Sequence, residues 1–266
     1  MSLLDPLTHA LAGALASAHH ALAALGLDTS SGTTWVLAIA AVVVVVRLAL
    51  LPLVVHSVRV AHAAARARPY LRALAERYRG RRDPASLRAH AEERRRIAAE
   101  HRLSPWGSLP LLAQIPVWFA LYRLLSDVAA GTPVGAVSPA LVASLGAATL
   151  IGVPLAGRGY LGAGAGHLVV VVALAGTAAL LSSVTQKYVV APNTVLDSAS
   201  DAVLRAHQLM PVLSAVGLLV AAGFVPVALL VYWVVNSYRT LAQAAVITRW
   251  FPTPGSPAAA AAEAGR

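Results

Sequence analysis

Cysteine is absent from all 266 residues. That excludes disulfides, thiolate metal sites and a lipid-modified N-terminal cysteine, and it leaves the redox compartment open. Charge is scarce: Asp, Glu, Lys and Arg make up 12% of the chain against 58% hydrophobic residues, with a mean hydropathy of +0.69. A chain this apolar is an integral membrane protein. Soluble-enzyme motifs are missing, with no phosphate-cradling glycine loop, no HExxH and no GxSxG. The 9 histidines are scattered, His56 and His62 in a hydrophilic stretch and His19 and His20 near the start, without the acid-backed spacing of a metal site. No Asp or Glu is placed within the membrane to relay protons or hold a cation, which counts against an ion-coupled transporter. No cofactor is expected.

What is present is organised around residues 35–55, WVLAIAAVVVVVRLALLPLVV. At about 1.5 Å rise per residue, a helix of this length is about 30 Å long, the thickness of a bilayer's hydrocarbon core. It carries one arginine, Arg47. A guanidinium at the centre of a membrane helix costs about 2.5–3.5 kcal/mol on insertion scales and cannot deprotonate, so it needs water or a polar partner. Snorkelling to the inner surface is the plain alternative. Counted to Val55, however, Arg47 lies roughly 12 Å from the inner end, near the limit of its reach.

The remaining charge has a strong positional bias. The net charge is +10, and 20 of the 21 basic residues are Arg, with Lys187 the exception. Thirteen of the Arg lie in 56–107 with five acids, whereas 1–34 has no Lys or Arg. By the positive-inside rule the first segment is external and 56–107 is cytoplasmic. Residues 1–34 lack a signal-peptide pattern, so their removal is not expected, and they suit an interfacial helix. The insert 56–107 reads as a two-helix hairpin, 56–79 and 84–102, broken at GRRDP (80–84). It is either a solvated charged arm or a dock for ribosomal RNA or a partner protein.

Residues 108–128 form a second span, kinked at Pro110 and Pro116, with Gln114 as a buried amide and Arg123 with Asp127 as a snorkelling pair. The uncharged stretch 129–166 reads as an external loop with an interfacial segment at 141–153; a further span at 134–155 would invert the topology downstream. A third span covers 167–184, a cytoplasmic loop 185–208, and a tight hairpin supplies the fourth and fifth spans at 209–222 and 225–248. The tail, 249–266, is low in complexity and expected to be disordered in the cytoplasm. The result is an all-α membrane protein with five transmembrane helices, N-terminus out and C-terminus in. Gln114, Thr185, Gln186, Tyr232, Trp233 and Asn236 are the polar or amphipathic residues able to share a cavity with Arg47. Each has a bland alternative as interhelical glue or packing.

Several ordered stretches now carry a family resemblance: RLALLPL at 47–53, RPYLRALAERYRGRRDPASLRAHAEERRRIAAEHRLSPWGSLPLLAQIPVWFALYRLL at 68–125, LIGVPLAG at 150–157, TQKY at 185–188, and MPVLSAVGLLVAAGFVPVALLVYWVVNSYRTLAQAAVITRWF at 210–251. Over roughly 33–251 the chain resembles the YidC/Oxa/Alb membrane protein insertases, and its Arg and Ala richness and short external region look like the actinobacterial branch. The resemblance implies five core helices around a hydrophilic groove, open to the cytosol and the lipid and closed outside, in a plasma-membrane protein. The groove receives hydrophobic segments of nascent client proteins and moves them into the bilayer without covalent chemistry, so no enzyme activity is implied. Arg47 matches the family's groove arginine, and Tyr232 and Trp233 its client-contacting aromatic pair. Gln114 and Gln186 fall at positions that are often polar. Contact with ribosomes or the Sec translocon stays open, and DNA is not an expected partner. The chain departs from the family pattern in having Ser104-Pro105 where Asn-Pro is frequent, in lacking the usual glycine around Val225 to Val227, and in lacking the lipoprotein cysteine. A small-solute transporter or channel is the alternative function; a third is an assembly factor acting only through the arm.

Overall fold

The computed structural model describes residues 4–81, 83–103, 109–161, 164–195 and 201–264, with the side chains of 109–113 and 201–203 left out of account. Ser104-Pro105, Arg82 of the GRRDP break and the side chain of Pro110 therefore lie outside the described residues. The chain is almost wholly helical. Its helices are α1 (Asp5–Ala24), α2 (Gly32–Ala49), α3 (Leu51–Arg77), α4 (Pro84–Glu100), α5 (Leu109–Ala129), α6 (Pro139–Ala147), α7 (Ala165–Val184), α8 (Asp201–Ala222), α9 (Val227–Trp250) and α10 (Pro257–Ala264). A two-residue antiparallel ladder, β1 (Thr149–Leu150) with β2 (Val153–Pro154), follows α6. Among the described residues three helical segments are long and apolar enough to cross a bilayer: Gly32–Ala49, Ala165–Asn193 and Leu204–Ala222.

The bundle centres on α9, which packs against α2, α5 and α7, while α7 also packs against α8. The first seven residues of α9, Val227–Trp233, are all buried, as expected for a helix segment that is apolar all round. By contrast α8 leaves Leu209, Val212, Leu213, Val216 and Val220 exposed, a face that lipid would cover. α1 lies against α2 and α5. At one end Asp5 pairs with Arg123 of α5 at 3.1 Å; at the other, His19 packs against Trp35 of α2 with ring centroids 4.5 Å apart. Arg123 thus serves as a tie to α1, in addition to its looser 3.6 Å contact with Asp127.

Several boundaries differ from the sequence reading, each for a local reason. The apolar run 35–55 is not one helix. α2 ends at Ala49 and α3 begins at Leu51, because Pro52 has no N–H to continue the ladder. Ser31 caps the other end of α2, its Oγ accepting from the Thr34 N–H. The segment after 184 is not a loop, since α7 runs on through a π-helical turn, Thr185–Val190, and a 3₁₀ turn, Ala191–Asn193. No breaker intervenes before Pro192. The fourth helix starts at Asp201 and not at 209, carrying straight through Pro211. Stretch 134–155 holds only the nine-residue α6 and the β1–β2 turn. A helix of that length is about 14 Å long, half of what a crossing needs.

The tail, expected to be disordered, is clasped. Oδ1 of Asn193 accepts from the Thr253 N–H at 2.7 Å, and Ser256 Oγ caps α10 by accepting from the Ala259 N–H at 3.2 Å. The alanine run that follows is strongly helix-forming once its start is capped.

The arm is a helical hairpin of α3 and α4, turning at Gly80 with φ of +79° and joined by an Arg77–Glu93 ion pair at 2.9 Å. Asp83 caps α4, its carboxylate accepting from the Ser86 N–H at 2.8 Å. That bond holds the Asp83 carboxyl below its ordinary range. A depressed folded pKa contributes stability that is present above the unfolded value and lost as pH falls through the folded one. The first turn of α4 is therefore expected to fray below about pH 4, with the protection of the Ser86 and Leu87 amides, taken relative to the intrinsic exchange rate at each pH, falling there, and Asp83→Asn should remove most of that pH dependence.

Candidate functional site

Arg47 sits in the last turn of α2, where the helix dipole favours a cation. With α2 ending at Ala49, the inner end of the apolar rod is only a turn away, yet the guanidinium turns into the bundle. Nη1 donates to Oε1 of Gln114 on α5 at 3.2 Å, and Nη2 donates to Oδ1 of Asn236 on α9 at 2.7 Å. Both acceptors are neutral amides. Among the described residues no carboxylate pairs with Arg47. A guanidinium offers five N–H donors, and the donors left over from these two bonds are free for water or an incoming anion.

Two adjoining cavities surround this point. The smaller, enclosing the guanidinium, is lined by Val43, Val46, Gln114, Trp118, Tyr232 and Asn236 among others. The larger, of about 490 Å³, lies between α5, α7, α8 and α9, with Ser182, Ser214, Asn236 and Ser237 as its polar wall and Trp118 and Trp233 as its aromatic one. Asn236 and Trp118 belong to both. The π-helical turn supplies Gln186, whose Nε2 donates to Ser214 Oγ at 2.9 Å and more weakly to Ser182 Oγ at 3.4 Å. A π-turn is costly in a regular helix and is found mostly where a side chain must be re-aimed. Here it aims Gln186 across at α8.

The structure therefore brings Arg47, Gln114, Gln186, Tyr232, Trp233 and Asn236 into one region. Thr185 is not part of it, since its hydroxyl donates back to the Leu181 carbonyl at 2.6 Å. Sequence reasoning missed Ser182, Ser214, Ser237 and Trp118. Isolated serines in apolar helices give no signal, because they can satisfy themselves on their own backbone. Arg239 is a further residue that the sequence reading did not single out. The spacing Tyr232, Asn236, Arg239, Gln243 (4, 3, 4) puts all four on one face of α9, a signal that could have found it.

At the opposite end of the bundle a strap crosses the α8–α9 turn. Leu155 and Gly157 carbonyls accept the Ala228 and Val227 N–H groups, each at 2.9 Å, which satisfies donors at the start of α9 that no helix can satisfy internally. Arg158 donates to the Ser126 carbonyl at 2.8 Å, His167 Nε2 sits 2.8 Å from the Gly159 carbonyl, and the Tyr160 hydroxyl bonds the Leu219 carbonyl. The stretch LIGVPLAG is thus the ladder and strap that cover the α8–α9 turn.

An all-helical bundle with membrane-length apolar segments, a basic hairpin arm and an arginine held by amides beside a polar cavity defines a polytopic membrane protein with a polar internal site. Residues 26–254 match the family model described as 60Kd inner membrane protein, and the chain belongs to that family. It is 31% identical to "Membrane protein insertase YidC" of Streptomyces avermitilis over 89% of this chain and 56% of that protein. It is 27% identical to the protein of the same name from Bifidobacterium longum, over 86% and 70% of the two chains. Over 93 residues, 35% of this chain and 20% of the other, it is 38% identical to "Inner membrane protein PPF-1, chloroplastic" of Pisum sativum. The chain thus spans little more than half the length of the Streptomyces protein.

Proposed function

We propose that the chain is a membrane protein insertase, with α2, α5, α7, α8 and α9 as five spans around a groove that opens to the cytoplasm and the lipid. The observation that carries this reading is the Arg47 guanidinium, held by two neutral amides and, among the described residues, no carboxylate, beside a cavity with one polar and one aromatic wall. The family membership and the names of the relatives point the same way. The basic arm puts the α3 side in the cytoplasm by the positive-inside rule, giving N-terminus out and C-terminus in. The strap on the outer side argues against a path through the membrane, and hence against a solute channel.

A client helix of some 20 apolar residues gains on the order of 6–12 kcal/mol from lipid, so the barrier lies in moving its polar tail. A hydrated half-channel lets that tail travel part of the way without losing water, and Arg47 draws its acidic groups at an effective dielectric below that of bulk water. The membrane potential adds roughly 2.3 kcal/mol per negative charge moving outward at 100 mV. No covalent step is required. The partners are nascent membrane proteins and the bilayer itself.

Because the chain lacks cysteine, single substitutions give a clean test. Ser214→Cys and Trp118→Cys are expected to form disulfides with a cysteine in the client's apolar segment during insertion by the purified protein in liposomes. Val212→Cys, on the exposed face of α8, should form far fewer. Equal adduct yields at all three positions would refute a groove.

A further inference from the structure

Below Arg47, the polar face of α9 continues to a second cation. Arg239 follows Asn236 by three residues, about 4.5 Å along the helix axis, and Asn236 is the residue that holds Arg47. Its guanidinium is only partly satisfied. Nη1 donates to Gln243 Oε1 at 2.7 Å and Nη2 reaches Thr240 Oγ1 at 3.5 Å, while Nε is buried without a partner. Among the described residues no carboxylate pairs with it either. Arg47 is held by Asn236, one turn along the same polar face of α9 from Arg239. Two guanidiniums on one polar strip, each with Nη donors beyond those bonded to neutral amides, form an arrangement that an anion would satisfy.

Resting on the insertase reading above, we infer that Arg239 is a positioning residue for client selection: it receives an acidic group of the client tail first and, together with Arg47, holds two closely spaced carboxylates. Twelve residues separate Arg239 from the start of α9 at Val227, so it stands mid-helix and not at the inner rim. An extended tail advances about 3.3 Å per residue. Two acids one or two residues apart therefore match the roughly one-turn offset of the two cations, whereas acids six residues apart, about 20 Å in an extended tail, engage both only if the tail doubles back.

The test uses the full-length protein in liposomes and four single-span clients whose N-terminal tails carry no acid, one acid, two acids two residues apart, or two acids six residues apart. Insertion is read by protease protection. With Arg239→Gln, insertion of the close-pair client is expected to fall roughly five- to ten-fold. The no-acid client should be unchanged and the single-acid and distant-pair clients should lose about two-fold or less, with Arg239→Lys restoring most of the loss. Unchanged acid clients, or an equal fall in all four including the no-acid tail, would overturn the assignment while leaving the insertase reading standing. Failure of the unsubstituted protein to insert any of the four would overturn both.

Discussion

Arg47→Ala is expected to lower insertion of a client with an acidic N-terminal tail at least ten-fold, while a neutral-tailed client loses about two-fold or less. A carboxylate 4 Å from a guanidinium at an effective dielectric near 20 interacts by about 4 kcal/mol. Water in the groove discounts this heavily, and the 1.4 kcal/mol or so that corresponds to ten-fold is a conservative remainder. The folded state should survive the change. Gln114 and Asn236, the two amides that lose their partner, are only half-buried, so water can replace the guanidinium at both. Arg47→Lys keeps the charge but not the fork that spans α5 and α9. It should keep most of the acidic-tail insertion if charge alone matters, and lose several-fold if the distance between the two helices matters too. The measurement is protease protection of the client tail in liposomes containing purified protein. An equal loss for neutral and acidic tails would remove charge attraction from the mechanism.

What could be read from the chain beforehand followed from how strongly the membrane penalises a residue. Arg47, Gln114 and Asn236 are costly in an apolar helix and so announce themselves, and the structure joins all three by hydrogen bonds. Ser182 and Ser214 carry little penalty and were invisible, although they hold Gln186 in place. Helix ends were legible where a capping residue met a pattern change, as at Asp83. One was misjudged where a single proline decided the outcome: Pro52 breaks the run 35–55, whereas α8 runs through Pro211, as the span 209–222 had it. The tie between Asp5 and Arg123, 118 residues apart, had no local signal at all, and neither did the capture of the tail by Asn193, 60 residues from Thr253. Long-range polar contacts of this kind depend on the packing of helices that composition alone cannot orient.

Gly159→Val is expected to pull the strap off the α8–α9 turn and to destabilise the fold strongly. Gly159 adopts φ of +66°, and a Cβ there would lie 2.5 Å from the Gly223 carbonyl oxygen in the α8–α9 turn. A β-branched residue in the left-handed region is strained by about 1–3 kcal/mol before any clash. The clash is with backbone, so it can be relieved only by moving the strap away from the turn. Such a shift loosens the Gly159 contact to Val225 and the carbonyls that cap Val227 and Ala228. A total of roughly 3 kcal/mol follows, or about 6–12 °C in the unfolding midpoint in detergent. Gly131 provides the control: its φ is +88° with nothing within 4 Å of an added Cβ, so Gly131→Val carries left-handed strain without the clash and should lower the midpoint by about half as much or less. The functional consequence separates the two further. If the strap is what closes the groove, a membrane-impermeant thiol reagent added outside should modify Leu229→Cys, a fully buried position on α9, in the Gly159→Val background and not in the Gly131→Val background. Protection of that cysteine in both would mean that the packed upper half of α9, and not the strap, forms the seal.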